Sequence, residues 1–168
     1  MIIRPATPDD DDAILDVIMP VIRCGETYAL PRDWSATEAL AYWRSPGHAV
    51  FVAAEDGAVL GTSYVRPNQR GGGSHVANAA FMTRTAVQGR GIAAAMCTHA
   101  LDYAAAARYA AMQFNFVVAT NARAVALWQR LGFEIVGRLP GAFQHPILGF
   151  VDALVMFRRL GGPPQAAP

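Results

Sequence analysis

Residues 86–96, AVQGRGIAAAM, set Gly89 and Gly91 on either side of Arg90, directly ahead of a run of small helix formers. Glycine inside a helix costs about 1 kcal/mol against alanine, so glycines here suit a turn that opens a helix. A helix start exposes unpaired N–H groups and the positive end of the dipole. Glycine lets an anion approach those groups closely, and the chemistry this spacing suits is the cradling of a phosphate. Asn78 in HVANAAFMT and Asn115 in MQFNFVVAT stand out for a different reason: each interrupts an apolar strand. An unpartnered buried amide costs about 1–3 kcal/mol, so each must find partners or a ligand. If the two strands part at a gap, both amides reach it.

Other chemistry is harder to build. His48, His75, His99 and His145 show no metal-ligand spacing, so no metal is expected. Cys24 and Cys97 form no C-x-x-C pair and read as reduced thiols, Cys97 as a packed one within a helix. No Ser-His-Asp or Cys-His arrangement stands out.

The elements that must position these residues follow from capping, turn and period signals. IIRPAT reads as a first strand. In the next segment Thr7 is expected to cap a helix, with Pro8 at its first position and Asp9 to Asp12 complementing the dipole. Pro20 is expected to kink or end that helix. SATEALAYWRSP reads as a second helix opened by a Ser35/Glu38 capping box and stopped by Pro46. The period then changes to two. HAVFVAAE and AVLGTSYVRP flank Asp56-Gly57 as a hairpin, and HVANAAFMTR adds a third strand of the meander. After the glycine turn come a long alanine-rich helix and MQFNFVVAT, a nearly continuous apolar strand that suggests burial on both faces. NARAVALWQRLGF is a short helix closed by Gly132, and FEIVGRLP and GFVDALVMFRRL are final strands. Residues 1–160 form one domain in this reading, and GGPPQAAP, 161–168, a flexible tail.

The chain has 168 residues and a formal net charge of +1, with arginine as its only basic side chain besides histidine. That balance exerts no broad pull toward nucleic acid or membrane surfaces. No stretch is apolar for long enough to span a bilayer, and no basic-then-apolar leader opens the sequence. A cytoplasmic protein is expected.

GRGIAA also fits the dinucleotide fingerprint G-x-G-x-x-A. That fingerprint follows a first parallel strand, with an acid about 20 residues on to hold a ribose. Here it follows a meander, and RYAAMQ, residues 108–113, offers no acid. The dinucleotide reading therefore fails. The pattern Q/R-x-x-G-x-G/A, filled by Gln88, Gly91 and Ala93, together with TNARAVALWQRLGF, resembles the GCN5-related N-acetyltransferases, the GNAT superfamily. GETYALPRD, HVANAAFM, FNFVVATN and FVDALVMFRRL further resemble the proline-analogue N-acetyltransferases of yeast, which act on azetidine-2-carboxylate and related cyclic imino acids.

The resemblance implies an α/β (α+β) fold: a central mixed, mostly antiparallel, twisted sheet flanked by about four helices. It implies direct acetyl transfer from acetyl-CoA to a small amine such as a cyclic imino acid, in a homodimer. Phe81, Met82 and Thr83 would pair with pantetheine and polarise the thioester carbonyl. Gln88, Gly89, Arg90, Gly91, Ile92, Ala93 and Ala94 would hold the pyrophosphate, and Asn121 would meet the pantetheine arm. Asn78 would hold the acceptor's carboxylate and Asn115 would lie beside the reacting nitrogen, these two being the catalytic candidates. Glu26, Tyr28 and His145 are candidate walls of the acceptor pocket, His145 also as a base. The pattern is broken at Trp128, where GNAT enzymes often carry a tyrosine that protonates the departing thiolate. Indole cannot release its proton, and Trp128 is expected to pack against the cofactor or the core. Acetylation of a peptide or protein N-terminus or of an antibiotic, and a non-catalytic acyl-CoA-binding module, stay open beside the leading reading.

Overall fold

The computed structural model describes residues 1–161; the tail expected from Gly161 onward lies, from residue 162, outside the described residues. β1 (Ile2–Pro5) pairs antiparallel with β2 (Ala49–Glu55), which turns back into β3 (Ala58–Pro67). The turn is made by Asp56 and Gly57, with φ of 50° and 81°, the two left-handed conformations a tight hairpin of this twist requires. β3 pairs antiparallel with β4 (Val76–Thr83), and β4 pairs parallel with β5 (Ala111–Val118). β7 (Gly149–Arg159) lies between β5 and the edge strand β6 (Glu134–His145), antiparallel to both. The sheet order is therefore β1-β2-β3-β4-β5-β7-β6. β6 continues past the expected FEIVGRLP through Gly141 to His145.

Helices cover both faces. α1 (Asp11–Cys24) and α2 (Ala36–Trp43) bury Ile14, Val17, Ile18, Ile22 and Trp43 against Val52, Val59, Tyr64, Ala80 and Met82. α3 (Ile92–Ala106) and α4 (Ala122–Arg130) cover the other face, where Cys97, Ala100, Leu101 and Trp128 pack on Val65, Met112, Phe114 and Met156. Gly61 allows the close approach of α3: a Cβ there would stand 2.9 Å from the methyl of Met96 and 3.0 Å from the Met82 carbonyl.

The ends of the helices follow the sequence in most places. Ser35 and Glu38 form the reciprocal capping box, with Glu38 N–H donating to Ser35 Oγ and Ser35 N–H to Glu38 Oε2. Gly132 takes φ 82° after α4. Pro20 does not end α1, which runs on to Cys24 and closes at Gly25 with φ 69°. Proline forfeits one helical N–H, but the apolar face on both sides of it is buried, and that packing outweighs the loss. The acidic run also does more than complement a dipole. Pro8–Asp10 form a 3-10 turn, and buried Asp10 accepts from Nη1 and Nη2 of Arg4, both at 2.7 Å. Asp11 pairs with Arg44 instead. In β5, Phe116 is exposed although Phe114, Val117 and Val118 are buried, so that strand is covered on both faces only in part.

Candidate functional site

The β4–β5 ladder holds only at Val76 with Ala111 and Ala77 with Met112. Beyond those pairs the strands part. On the other side of β5 the pairing with β7 is interrupted between Phe114 and Val117, which leaves Asn115 outside the ladder. Val76 O accepts from Asn68 N–H and Arg84 N–H donates to Leu60 O, so the even-numbered residues of β4 turn their main chain toward β3. By the alternation of an antiparallel pair, Ala79, Phe81 and Thr83 turn theirs toward the gap. Phe81, Phe114 and Trp128 pack beneath it, with ring centroids 5.2 Å apart for Phe81–Trp128 and 5.3 Å for Phe114–Trp128.

A cavity of 260 Å³ opens beside this gap. Its lining brings together Asn78, Phe81, Asn115, Asn121, Trp128 and Tyr28, six of the residues singled out from sequence. Asn78 and Asn115 are not satisfied by the main chain. Both donate to one oxygen, Asn68 Oδ1, at 3.2 Å and 2.6 Å, and Gln113 Nε2 donates to Asn115 Oδ1 at 2.8 Å. Asn68, itself buried, follows Pro67 at the end of β3. Nothing in its local sequence distinguished it from a loop amide, and only the register of β3 against β4 carries it to the gap. Its role leaves each partner one N–H to spare, because a carboxamide nitrogen carries two.

Tyr28 reaches the same gap from the loop between α1 and α2. Its hydroxyl accepts the Phe81 N–H at 3.0 Å and donates to the Phe81 carbonyl at 2.8 Å. Burial pushes this phenol well above its ordinary pKa, with the Phe81 N–H opposing. The Phe81 main chain is thus already paired, and the gap-facing groups without a strand partner are those of Ala79 and Thr83.

The glycine turn lies at the far end of β4. Gly89 and Gly91 have φ of 86° and 80°, and Gly91 is the N-cap of α3 with no side chain bonded to the first-turn N–H groups. A Cβ on Gly91 would meet nothing within 4 Å, so the turn is open on that side. Arg90 extends instead to Glu55. The cation near the turn is Arg123 of α4, whose Nη2 would stand 3.8 Å from a Cβ on Gly89. Asn121 caps α4, its Oδ1 accepting from Ala124 N–H at 3.3 Å.

The cradle candidates Gln88 to Ala94 lie at the turn, outside the cavity lining, and so do Thr83 at the end of β4, Met82, Glu26 and His145. Met82 points into the α1 core. Glu26 lies beside the Cys24 thiol, whose pKa rises through burial and that carboxylate. His145 sits at the β6–β7 turn, where Nδ1 accepts from Ile147 N–H and Leu148 N–H, both at 3.2 Å. A turn-holding acceptor nitrogen in this tautomer is a structural arrangement. No group of three or more histidine, cysteine or acidic side chains capable of holding a metal occurs among the described residues.

Two side chains at the rim were not anticipated. Arg66, opposite Asn78 in the β3–β4 register, lines the cavity. His48 stacks on Tyr64 with centroids 4.1 Å apart and bonds the Trp43 carbonyl through Nδ1 at 3.0 Å. Burial lowers its pKa, the Trp43 carbonyl opposes, and the positive charge of Arg66 adds to the lowering.

Comparison with known proteins agrees with this geometry. The family model described as Acetyltransferase (GNAT) family matches residues 16–133. A GCN5-related N-acetyltransferase from Kribbella flavida is 41% identical, with a TM-score of 0.90 over 95% of this chain and 97% of that one. A phosphinothricin acetyltransferase of Sinorhizobium meliloti, solved in complex with acetyl-CoA, shares the fold at 20% identity and a TM-score of 0.86, covering 99% of this chain and 92% of that one. Among curated proteins, N-acetyltransferase aca1 of Schizosaccharomyces pombe is 33% identical over 104 residues, 58% of this chain. The matched stretch spans about half of that relative, 47% of its length.

Proposed function

This chain belongs to the acetyltransferase (GNAT) family, and from that premise we propose that it passes acetyl directly to the nitrogen of a small cyclic imino acid of the proline-analogue type. The family's enzymes are N-acetyltransferases that depend on acetyl-CoA. The observation that carries the reading is the parting of β4 and β5 after Ala77 and Met112, with Asn78 and Asn115 on either strand and the glycine turn at the end of β4.

The chain's own groups suit acetyl-CoA. The left-handed glycines and uncapped N–H groups of Ile92, Ala93 and Ala94 would hold the pyrophosphate, with Gln88 entering the turn and Arg123 adding positive charge. The free main-chain groups of Ala79 and Thr83 would pair with the pantetheine amides as a neighbouring strand would. When bound, acetyl-CoA supplies an acyl carbon reactive enough for an amine to take it without an enzyme nucleophile. Asn115 would orient the reacting nitrogen, and Asn78 would offer its remaining N–H to the acceptor's carboxylate. Trp128 would position the arm by packing. A thiol of pKa about 8.5 leaves tolerably without a tyrosine acid.

The same reading includes a cytoplasmic homodimer. Its support is the exposed tip of β6–β7, where Ile147 and Phe150 are 78% and 76% accessible, surface that a second copy would cover. Sedimentation velocity decides it, and a monomer at micromolar concentration removes the dimer.

The test of the acceptor is acetyl-CoA turnover, followed by thiol release, against L-azetidine-2-carboxylate, polyamines, amino-acid amides and short peptides. The imino acid is expected to give the highest kcat/KM. A peptide or polyamine that outruns it overturns the assignment.

A further inference from the structure

Among the described side chains that line the 260 Å³ cavity, Arg66 is the only one with a formal charge, and no described aspartate or glutamate faces it there. The adjoining hollow, which Arg66 also lines together with His48 and Arg70, contains no acid either. Several other arginines near cavity and cradle are matched, Arg84 with Asp16, Arg90 with Glu55 and Arg44 with Asp11, while Arg70 in the adjoining hollow and Arg123 beside the glycine turn make no ion pair among the described residues and lie outside the cavity lining. Arg66 makes no ion pair among the described residues, and its hydrogen bond is from Nη1 to the neighbouring Pro67 carbonyl at 3.2 Å. A guanidinium has five N–H donors, so most of the fork is free to bind.

Its direction is set by the sheet. Arg66 and Asn78 are directly opposed across the β3–β4 pair, and opposed residues of an antiparallel pair project from the same face. Tyr64, two residues before Arg66, and Ala80, opposite Tyr64, continue that face into the cavity. Asn68 takes one N–H of Asn78 at 3.2 Å, which leaves Asn78 a single N–H for a ligand. One amide N–H beside an unmatched planar cation is a weak site for a neutral group. It is a good one for a carboxylate, which accepts a forked guanidinium and one further donor on its two oxygens.

We propose that Arg66 and Asn78 together form the carboxylate subsite of the acetyl acceptor. The enzyme then selects amines with an acid group near the nitrogen, α-amino or α-imino acids, over their carboxamides and over polyamines. This rests on the acceptor occupying the cavity, as in the function proposed above, but not on the acceptor being cyclic. Arg66 supplies the charge, and Asn78 fixes the orientation. An ammonium-rich acceptor meets an unscreened positive charge with no carboxylate to offset it, so exclusion and recognition come from the same residue.

The test measures acetyl-CoA turnover with matched acceptor pairs: L-azetidine-2-carboxylate, L-proline and L-alanine, each against its carboxamide, with spermidine as a cationic probe. Wild type is expected to prefer each acid that it accepts over the matching amide. Arg66→Gln should collapse that acid-over-amide preference by about tenfold or more, the range expected on losing a charge-assisted hydrogen bond. The loss should appear in KM for the acid, with acetyl-CoA affinity by calorimetry unmoved. Arg66→Lys should restore part of the preference, since it keeps the charge without the fork. Equal use of acids and amides by wild type overturns the subsite, as does an unchanged preference in folded Arg66→Gln. If L-alanine shows the full pattern while both cyclic acids are refused, the subsite stands and the imino-acid assignment falls. If a cyclic acid is the best acceptor yet Arg66→Gln does not alter its preference, the subsite falls and the imino-acid assignment stands.

Discussion

The Tyr28 hydroxyl bonds both main-chain groups of Phe81, accepting its N–H at 3.0 Å and donating to its carbonyl at 2.8 Å. One phenol thereby ties the loop after α1 to the parted edge of β4, 53 residues away in sequence. It also covers the peptide that sequence reasoning assigned to the thioester. Tyr28→Phe keeps the ring and frees that peptide. Two lost hydrogen bonds at a buried site should cost about 1–3 kcal/mol of stability, read as a fall of several degrees in melting temperature. Acetyl-CoA should bind at least as tightly, because the freed N–H becomes available to pantetheine. Clearly weaker acetyl-CoA binding in a folded Tyr28→Phe protein, by calorimetry, would show that the phenol itself contacts the cofactor.

Gly91 caps α3 with φ 80°, and a side chain there would stand in the open space beside the turn. Gly91→Val should therefore cost about 1–2 kcal/mol in backbone strain while the fold persists, and acetyl-CoA binding should be lost. Circular dichroism separates the two effects. Unchanged cofactor affinity in the folded variant would remove the cradle.

Trp128 is 8% accessible and wedged against Phe81 and Phe114, a packing position. Trp128→Phe keeps most of that contact and deletes the indole N–H. Turnover should fall by no more than about tenfold, or roughly 1.4 kcal/mol of barrier. A thousandfold loss in single-turnover rate with cofactor affinity intact would contradict a positioning role.

Asn68 Oδ1 is the shared acceptor of Asn78 and Asn115. Asn68→Ala frees Asn78 to rotate and leaves Asn115 held only by Gln113, so the acceptor KM should rise about tenfold or more while acetyl-CoA affinity holds. In a double-mutant cycle with Asn78→Ala, the second substitution should cost much less than it does alone, because the two act through one bond. Full additivity of the two KM effects would show that Asn68 does not orient Asn78.

Asp10 is held well below the ordinary carboxylate range, first by the Arg4 guanidinium and further by the Thr7 N–H, with burial opposing. A carboxylate whose folded pKa lies below its unfolded value near 4 stabilises fully above that value, and the stabilisation fades as pH falls toward the folded pKa. Asp10→Asn should thus be less stable than wild type by about 1.5–3 kcal/mol at neutral pH, and the gap should narrow below about pH 4. Denaturant midpoints across that range check it; a gap independent of pH would remove the ion pair from the account.

Much of the fold was legible because its signals are local. The Asp56-Gly57 turn, the Ser35/Glu38 capping box and Gly132 each state a backbone conformation within a few residues, and such preferences are largely independent of what packs nearby. The glycine turn before α3 was legible for the same reason, as were Asn78 and Asn115, since an amide within an apolar strand conflicts with its own surroundings. Pro20 marks the limit of that logic: a local rule against proline in a helix lost to the burial of the helix face around it.

What only the tertiary structure decided is who meets whom. Asn68 bonds Asn115 across 47 residues, Arg66 faces Asn78 by strand register, and Arg123 comes to Gly89 from a different helix. His145 and Glu26 have chemistry-bearing side chains but are turned to a hairpin and to Cys24. Nothing near these residues in sequence encodes the distances. They are set by strand pairing and by the packing of helices on both faces of the sheet, and those interactions depend on the whole chain at once.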